Sequence, residues 1–251
     1  MNQIPKKEKT IFPAPFYYII FYVSGVQGSN LSLLKTLFSD VDGGLKSSFE
    51  KGFAIRQHGW DLDLRQEYSI NLYGIESENR LKRVQVQNNG TLIVEGALIS
   101  DFLCWGAGEA YESDADFKTR RIHPLALAEF TYNAAIAYQK ILSEIDKPIG
   151  KVECLVGFVG LEIDKHFLIE GTVGPGKVDI RRKYWKGDEN EFPVDFDPAE
   201  FKYDENNLGK VAYKIIAGVY RMFGFSDDVV PYTVGEGEDK KISIEQIRSA
   251  V

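Results

Sequence analysis

Apolar residues near the start of the chain predict a buried strand followed by a helix. The run over residues 16–23 is rich in Tyr, Ile, Phe and Val and ends at a Ser-Gly pair, which is typical of a strand and its turn. Leucine and phenylalanine then recur at helical spacing over residues 31–38, where Ser29 or Asn30 is placed to cap the first amides. This part of the chain therefore predicts a strand, a glycine-containing turn and a short helix.

Alternation of apolar and polar residues predicts amphipathic strands further along. The apolar positions of residues 68–72 alternate with polar ones, and the same period of two continues through residues 84–86. The Asn-Asn-Gly sequence at 88–90 tolerates positive φ, and the apolar run at 92–94 then returns the chain. These features predict a β-hairpin.

Two long helices are predicted in the second half. The first covers residues 124–145, with a proline in its first turn and apolar residues recurring on one face. The second covers residues 208–223 and stops at Gly224. Asn206 or Asn207 is expected to cap it.

The remaining elements of the second half are short. Strands are predicted over residues 152–159, 167–170 and 178–180. The polar segment near 235–241 is expected to be mobile, and a capping-box pattern at 243–246 predicts a short last helix.

Strands in hairpin-like succession, with two long helices, favour an α+β fold of layered mixed or antiparallel sheets over a doubly wound sheet. Apolar density falls between Gly106 and Arg121, which indicates a domain boundary there. We expect an N-terminal α/β lobe over residues 1–105 and a C-terminal α+β lobe over residues 122–251. A single compact domain is the alternative.

Charge shifts the expected partner toward protein. The chain carries 37 acidic and 30 basic residues, a net charge of −7, which disfavours nucleic acid as a partner. The one membrane-like stretch, residues 12–23, contains two prolines and is shorter than the roughly 20 apolar residues of a spanning helix. No clear signal peptide precedes it, so a cytoplasmic protein with no membrane partner is expected.

The two cysteines indicate a reducing compartment. Cys104 and Cys154 both lie inside apolar runs, which is typical of buried, free thiols rather than a disulfide framework.

A glycine turn after the first strand is the candidate cofactor site. Free amides at a helix start attract phosphate, which points to Gly25, Gly28 and Ser29. The Lys-Ser/Thr pair of a phosphate loop and the third glycine of a dinucleotide fingerprint are both missing. A plain turn leading to a helix cap is the alternative, and no cofactor is predicted.

Histidines and cysteines give no recognisable reaction centre. His58 lies in a polar, aromatic stretch that fits a cleft wall, or else an exposed strand face. His123 and His166 have no second histidine at ligand spacing, so no metal is predicted. Catalytic residues are therefore not assigned.

A short basic and aromatic segment is the candidate partner-binding site. Interleaved arginines and aromatic rings suit a protein hot spot or stacked single-stranded nucleic acid, and the negative net charge favours the protein. A loop that packs its tryptophan on the body of the protein is the alternative. The residues are Arg181, Arg182, Tyr184 and Trp185.

Several segments in order resemble a known family. They include Arg-Val-Gln-Val-Gln-Asn-Asn-Gly at 83–90, His-Pro-Leu at 123–125 and Gly-Phe-Val-Gly at 157–160. With the helix end at 220–225, this order resembles the carboxyl-terminal region of bacterial proteins that carry a Schlafen/Alba-like DNA-binding, ATP-binding domain at their amino end. The likeness covers about residues 60–230 and implies an accessory or sensing module. Nucleotide and DNA binding are not carried over, because the chain does not accommodate that amino-terminal domain.

Two function classes follow. The first is a non-enzymatic accessory or interaction protein that contacts another macromolecule, with a protein partner preferred. The second is a nucleotide-binding or hydrolytic enzyme with a site near the Gly25–Gly28 turn and His58.

Overall fold

An antiparallel sheet is the central layer of the fold in a computed structural model of the chain. The residues described are 15–23, 68–71, 74–78, 82–87, 89–99, 102–104, 120–143, 150–161, 167–171, 181–185, 190–201 and 204–249. Among these residues the strands are β1 (Phe16–Val23), β2 (Tyr68–Asn71), β3 (Gly74–Glu78), β4 (Lys82–Gln87), β5 (Leu92–Ala97), β6 (Arg120–Ile122), β7 (Val152–Val159), β8 (Phe167–Gly171), β9 (Arg181–Tyr184), β10 (Glu191–Phe196), β11 (Thr233–Val234) and β12 (Lys241–Ile242). The α-helices among the described residues are α1 (Pro124–Ser143), α2 (Glu205–Met222) and α3 (Ile244–Ser249), with short 3₁₀ turns at Pro198–Phe201, Asp227–Val229 and Gly237–Asp239.

The main sheet has seven strands in the order β10-β7-β1-β5-β4-β3-β2. All its neighbouring pairs are antiparallel. A smaller sheet has the order β6-β8-β9, with β6 and β8 parallel. Helices and largely antiparallel sheets confirm the α+β prediction. The main sheet contains strands from both sides of the boundary expected between residues 105 and 122, because β1 lies between β5 and β7.

The predicted hairpin is confirmed as β4 and β5. Gly90 at the turn has a φ of +82°, which a residue with a side chain rarely adopts. The amide of Thr91 donates to Asn89 Oδ1 at 3.0 Å, and the Gln87 amide donates to the Thr91 carbonyl at 2.8 Å. The strand β3, which the alternation pattern did not predict, lies between β2 and this hairpin.

The helix α1 packs on one face of the sheet and is buried along nearly its whole length. Pro124 is its first residue, as the sequence predicts, and Ser143 its last. The hydroxyl of Tyr17 in β1 shares a hydrogen bond with Thr131 Oγ1, and the ring of Phe21 stacks on Tyr138 with centroids 4.7 Å apart. The odd-numbered residues of β1 therefore face the helices.

The helix α2 confirms the second predicted helix, but its cap is different. Asp204, rather than Asn206 or Asn207, is the N-cap, and its carboxylate accepts a hydrogen bond from the Asn206 amide at 3.0 Å. An aspartate here satisfies a free amide and places negative charge at the positive end of the helix dipole. Gly224 follows the helix with a φ of +76°, in agreement with the predicted stop.

The C-terminal segment packs against α2. The segment near 235–241, expected to be mobile, contains the turn between β11 and β12, which form a small hairpin. Within it, the carboxylate of Asp239 pairs with Lys210 of α2 at 2.6 Å. The last helix begins where the capping-box pattern places it, because Ser243 Oγ accepts a hydrogen bond from the Gln246 amide at 3.3 Å.

Both cysteines are buried free thiols, as the sequence predicts. Burial raises the pKa of the Cys154 thiol well above its ordinary value. In the part of the chain that the structure describes, no helix is long and apolar enough to cross a membrane.

The buried phenols of Tyr17, Tyr18 and Tyr138 lead to a testable pH dependence. Burial is the main reason that the pKa of each lies above its ordinary value of 10.0. Because these pKa values are higher in the folded than in the unfolded chain, their contribution to stability is complete below pH 10 and lost as pH rises above it.

We expect these three tyrosines to ionise only as the chain unfolds. Absorbance at 295 nm, followed with far-ultraviolet circular dichroism during alkaline titration, should show the last phenolates forming together with loss of secondary structure. Urea unfolding should give a smaller free energy at pH 11 than at pH 9. Reversible ionisation of all 13 tyrosines with the dichroism unchanged would contradict the burial of these three side chains.

Candidate functional site

The face of the main sheet that points away from α1 places tyrosines beside acidic side chains. Side chains alternate along β1, so Tyr18, Ile20 and Tyr22 lie on the opposite face from Tyr17 and Phe21. Their neighbours on β7 and β10 follow from the register of the strands. They form three rows across β1, β7 and β10, which we call the tyrosine–acid face.

The first row joins Tyr18 to Glu191 across a glycine. In the register Tyr18 lies opposite Gly157, and Gly157 lies opposite Glu191. The Tyr18 hydroxyl donates to Glu191 Oε2 at 2.5 Å, spanning the strand between them. A Cβ at residue 157 would lie 2.6 Å from the Tyr18 hydroxyl and 2.6 Å from the Asn190 carbonyl oxygen. Only glycine therefore leaves room for this bond.

Tyr18 is held in its protonated, donating form. Burial is the largest cause of its raised pKa, followed by the hydrogen bond to Glu191 and the charges of Glu191 and Glu95. The carboxylate of Glu191 is on an exposed residue, so the buried phenol positions a charged group at the surface.

The same row continues in the other direction as an ion pair. Glu95 of β5 lies opposite Tyr18, and Arg83 of β4 lies opposite Glu95. The Glu95 side chain is only 3% exposed, and its Oε2 lies 3.4 Å from Arg83 Nη1. A carboxylate this deeply buried requires a positive partner, which Arg83 supplies.

The second row is apolar. Ile20, Leu155 and Pro193 lie opposite one another on β1, β7 and β10. Ile20 and Leu155 are partly exposed, and Pro193 is exposed. This row therefore leaves an apolar strip open in the middle of the face.

The third row is again a tyrosine with carboxylates. Tyr22 lies opposite Glu153, and Glu153 lies opposite Asp195. Partial burial, a hydrogen bond to Glu153 and the nearby negative charges together raise the pKa of Tyr22 to about 12. Asp195 Oδ2 pairs with Lys151 Nζ at 2.5 Å, with both side chains about half exposed.

Among the described strands, β10 lies at an edge of the main sheet, and Pro193 suits that position. The Phe158 amide donates a hydrogen bond to the Asn190 carbonyl at 2.8 Å, which shows which residues of β10 direct their main-chain groups toward β7. By alternation, the nitrogen of Pro193 points away from β7 toward the open edge. No ladder bond is lost there, and the missing donor hinders a further strand from pairing with this edge.

Trp185, one of the four predicted partner-binding residues, is buried. Arg181, Arg182 and Tyr184 belong to β9, and Trp185 directly follows it. Trp185 is only 9% exposed and packs in the hydrophobic core. The ring of Trp185 therefore packs on the body of the protein, as in the alternative interpretation of this segment.

Lys183, between the predicted residues, serves a structural contact. Its ammonium group donates to the Gly224 carbonyl just beyond α2 and lies 4.8 Å from the centre of the Phe225 ring. A cation at this place satisfies a free carbonyl at the C-terminal end of a helix.

The other sequence-predicted site residues, Gly25, Gly28, Ser29 and His58, lie outside the described residues. Within the described ranges, no group of three or more His, Cys, Asp or Glu side chains is arranged to hold a metal ion. No protein-family model, curated protein or solved structure matches the chain.

Sequence reasoning missed the tyrosine–acid face, although part of the signal is present in β1. Tyr18, Ile20 and Tyr22 alternate there, which predicts that they share one side of the strand. Glu153, Glu191 and Asp195 lie on strands more than a hundred residues later, and only the register brings them beside β1.

Proposed function

We propose that this chain is a non-enzymatic interaction protein and that it binds another protein through the tyrosine–acid face. The observation that supports the proposal is the open apolar row of Ile20, Leu155 and Pro193 with carboxylates on either side. An apolar centre, a charged rim and tyrosine side chains are the composition that protein interfaces favour.

The polar groups of this face suit binding better than catalysis. The Tyr18 hydroxyl donates a hydrogen bond to the Glu191 carboxylate, and the Asp195 carboxylate forms an ion pair with Lys151. Their raised pKa values keep Tyr18 and Tyr22 protonated near neutral pH, so neither is available as a general base. These contacts hold charged groups in place at the surface, which favours recognition of a partner.

The resemblance to the carboxyl-terminal region of proteins with a Schlafen/Alba-like domain supports the same proposal, because it implies an accessory or sensing module. The negative net charge supports protein over nucleic acid as the partner.

A photo-crosslinking experiment tests the proposal. The full chain would carry p-benzoylphenylalanine in place of Leu155, and a control would carry it in place of Glu245, an exposed residue of α3. After irradiation in native lysate, we expect a defined protein adduct at residue 155 and none at residue 245. Both labelled chains should first show the wild-type thermal transition.

Competition decides whether the adduct is specific. Excess unlabelled wild-type chain should abolish it, whereas excess Ile20→Glu variant, checked for a native thermal transition, should not. Equal adducts at both positions, or an adduct that wild-type chain does not displace, would overturn the proposal.

A further inference from the structure

We infer that the tyrosine–acid face binds an extended segment of a partner protein with the pattern basic–x–apolar–x–basic; this inference rests on the proposed function. The charges on the face are the first observation that supports a basic partner segment. Among the described residues of β1, β7 and β10, Glu153, Glu191 and Asp195 supply three carboxylates, and Lys151, just before β7, supplies one ammonium group. On the neighbouring strands, Glu95 and Arg83 pair with each other. Glu191 and Asp195 are exposed, so a positively charged side chain can reach both ends of the face.

The spacing of the rows sets the pattern. Tyr18, Ile20 and Tyr22 are two residues apart, so the two acidic rows lie about 13 Å apart with the apolar row midway. In an extended partner segment, side chains on one face recur at the same interval. Two basic residues four positions apart, with an apolar residue between them, therefore match the three rows.

The two acidic rows offer a cation different contacts. At the first row, the buried Tyr18 fixes the Glu191 carboxylate, which leaves an oriented anion for a lysine or arginine. At the third row, the partly exposed ring of Tyr22 lies beside Glu153. That ring can add a cation–π contact to the ion pair.

An extended segment is expected to lie on the face and not to extend the sheet at its edge. The proline in β10 removes an outward amide from that edge, so the main-chain bonds of an added strand would be interrupted there. Side-chain recognition on the face does not need those bonds.

Two synthetic peptides test the spacing. The probe is acetyl-Gly-Ser-Lys-Thr-Leu-Thr-Lys-Ser-Gly-amide, and the matched peptide is acetyl-Gly-Ser-Lys-Lys-Leu-Thr-Thr-Ser-Gly-amide, with the same composition and charge. Heteronuclear NMR titration of the full chain at low salt should show the first peptide binding at least about fivefold more tightly, since the second leaves one acidic row unmatched. Equal affinity for the two peptides would overturn the proposed spacing of the two basic residues.

A pair of charge variants tests the site. The double variant Glu153→Gln and Glu191→Gln keeps the hydrogen-bond acceptors for the tyrosines but removes two charges. It should lower the affinity for the probe peptide about tenfold. The control, Glu236→Gln with Glu238→Gln, removes two exposed charges between β11 and β12 and should leave binding unchanged. Equal loss in both double variants would show general charge attraction and overturn the inference.

The two proposals fail in different ways. If the adduct at residue 155 forms and survives in the Glu153→Gln, Glu191→Gln background, the chain still binds a protein on this face, but not through basic residues. If no displaceable adduct forms, the proposed function itself fails.

Discussion

Replacement of Val211 by aspartate is expected to abolish cooperative folding of at least the C-terminal half of the chain. Val211 is completely buried in α2, in contact with the core shared by both helices and the main sheet. A buried charge without a partner costs about 3–5 kcal/mol, a large fraction of the 5–15 kcal/mol typical of folded domains. Ile215→Asp, one turn further along the same buried side, should have the same effect.

Thermal unfolding followed by circular dichroism measures this effect. The matched control is Asn206→Asp, which places the same residue on the exposed first turn of α2, where the helix dipole favours negative charge. We expect the control to keep the wild-type transition or to raise its midpoint slightly. A native-like transition in Val211→Asp would mean that this side of α2 is open to solvent.

Gly157→Ala is expected to be the most disruptive single-methyl change on the tyrosine–acid face. The added carbon would lie 2.6 Å from the Asn190 carbonyl oxygen, and backbone cannot move aside as a flexible side chain can. It would also lie 2.6 Å from the Tyr18 hydroxyl and 2.8 Å from Glu191 Cβ. Overpacking of this kind costs about 1–3 kcal/mol, and here it also strains the bond between Tyr18 and Glu191.

Urea unfolding of the full chain, read as the change in midpoint, checks the Gly157 prediction. Gly150→Ala is the matched control, because a Cβ there meets no atom within 4 Å. It should be neutral or slightly stabilising, since alanine restricts the unfolded chain. Adding Tyr18→Phe to Gly157→Ala should recover part of the lost stability, because it removes one of the two oxygen atoms that the new methyl group meets. Equal midpoints for Gly157→Ala and Gly150→Ala would contradict the packing around Gly157.

Elements whose signals are local were predictable. The hairpin of β4 and β5 carries its alternation and its turn within one short stretch of sequence. The helices α1 and α2 repeat their apolar residues over many turns, and proline and glycine mark their ends. The cap of α2 was misplaced by two or three residues, because neighbouring Asp and Asn residues are all suitable caps.

Elements with mixed signals were missed or shifted. In β10, which the sequence analysis does not predict, Phe192, Val194 and Phe196 alternate with exposed residues, but Pro193 interrupts the stretch and is itself a signal against a strand. The structure resolves the conflict, because a proline is tolerated on an edge strand when its nitrogen points outward. In β9, a run of basic residues indicated a solvated loop, although it pairs with β8.

The candidate site depended on information that a single sequence does not carry. The distance from Tyr18 to Glu191 is set by the order of β1, β7 and β10 and by their register. Both result from long-range pairing that packing against α1 and α2 selects. The mild alternation in β1 predicted a strand without indicating which residues would lie beside it.

The central place of β1 has a consequence for how the protein is synthesised. This strand leaves the ribosome before its partners β5 and β7, which are completed only at Ala97 and Val159. At typical rates of translation, β7 follows β1 by on the order of ten seconds. Until then an eight-residue segment of mostly apolar, β-forming side chains has at least one unpaired edge, which is the kind of segment that promotes aggregation. A lower growth temperature and additional chaperones should therefore raise the yield of folded chain. Truncation of the chain before β7 should lower that yield sharply.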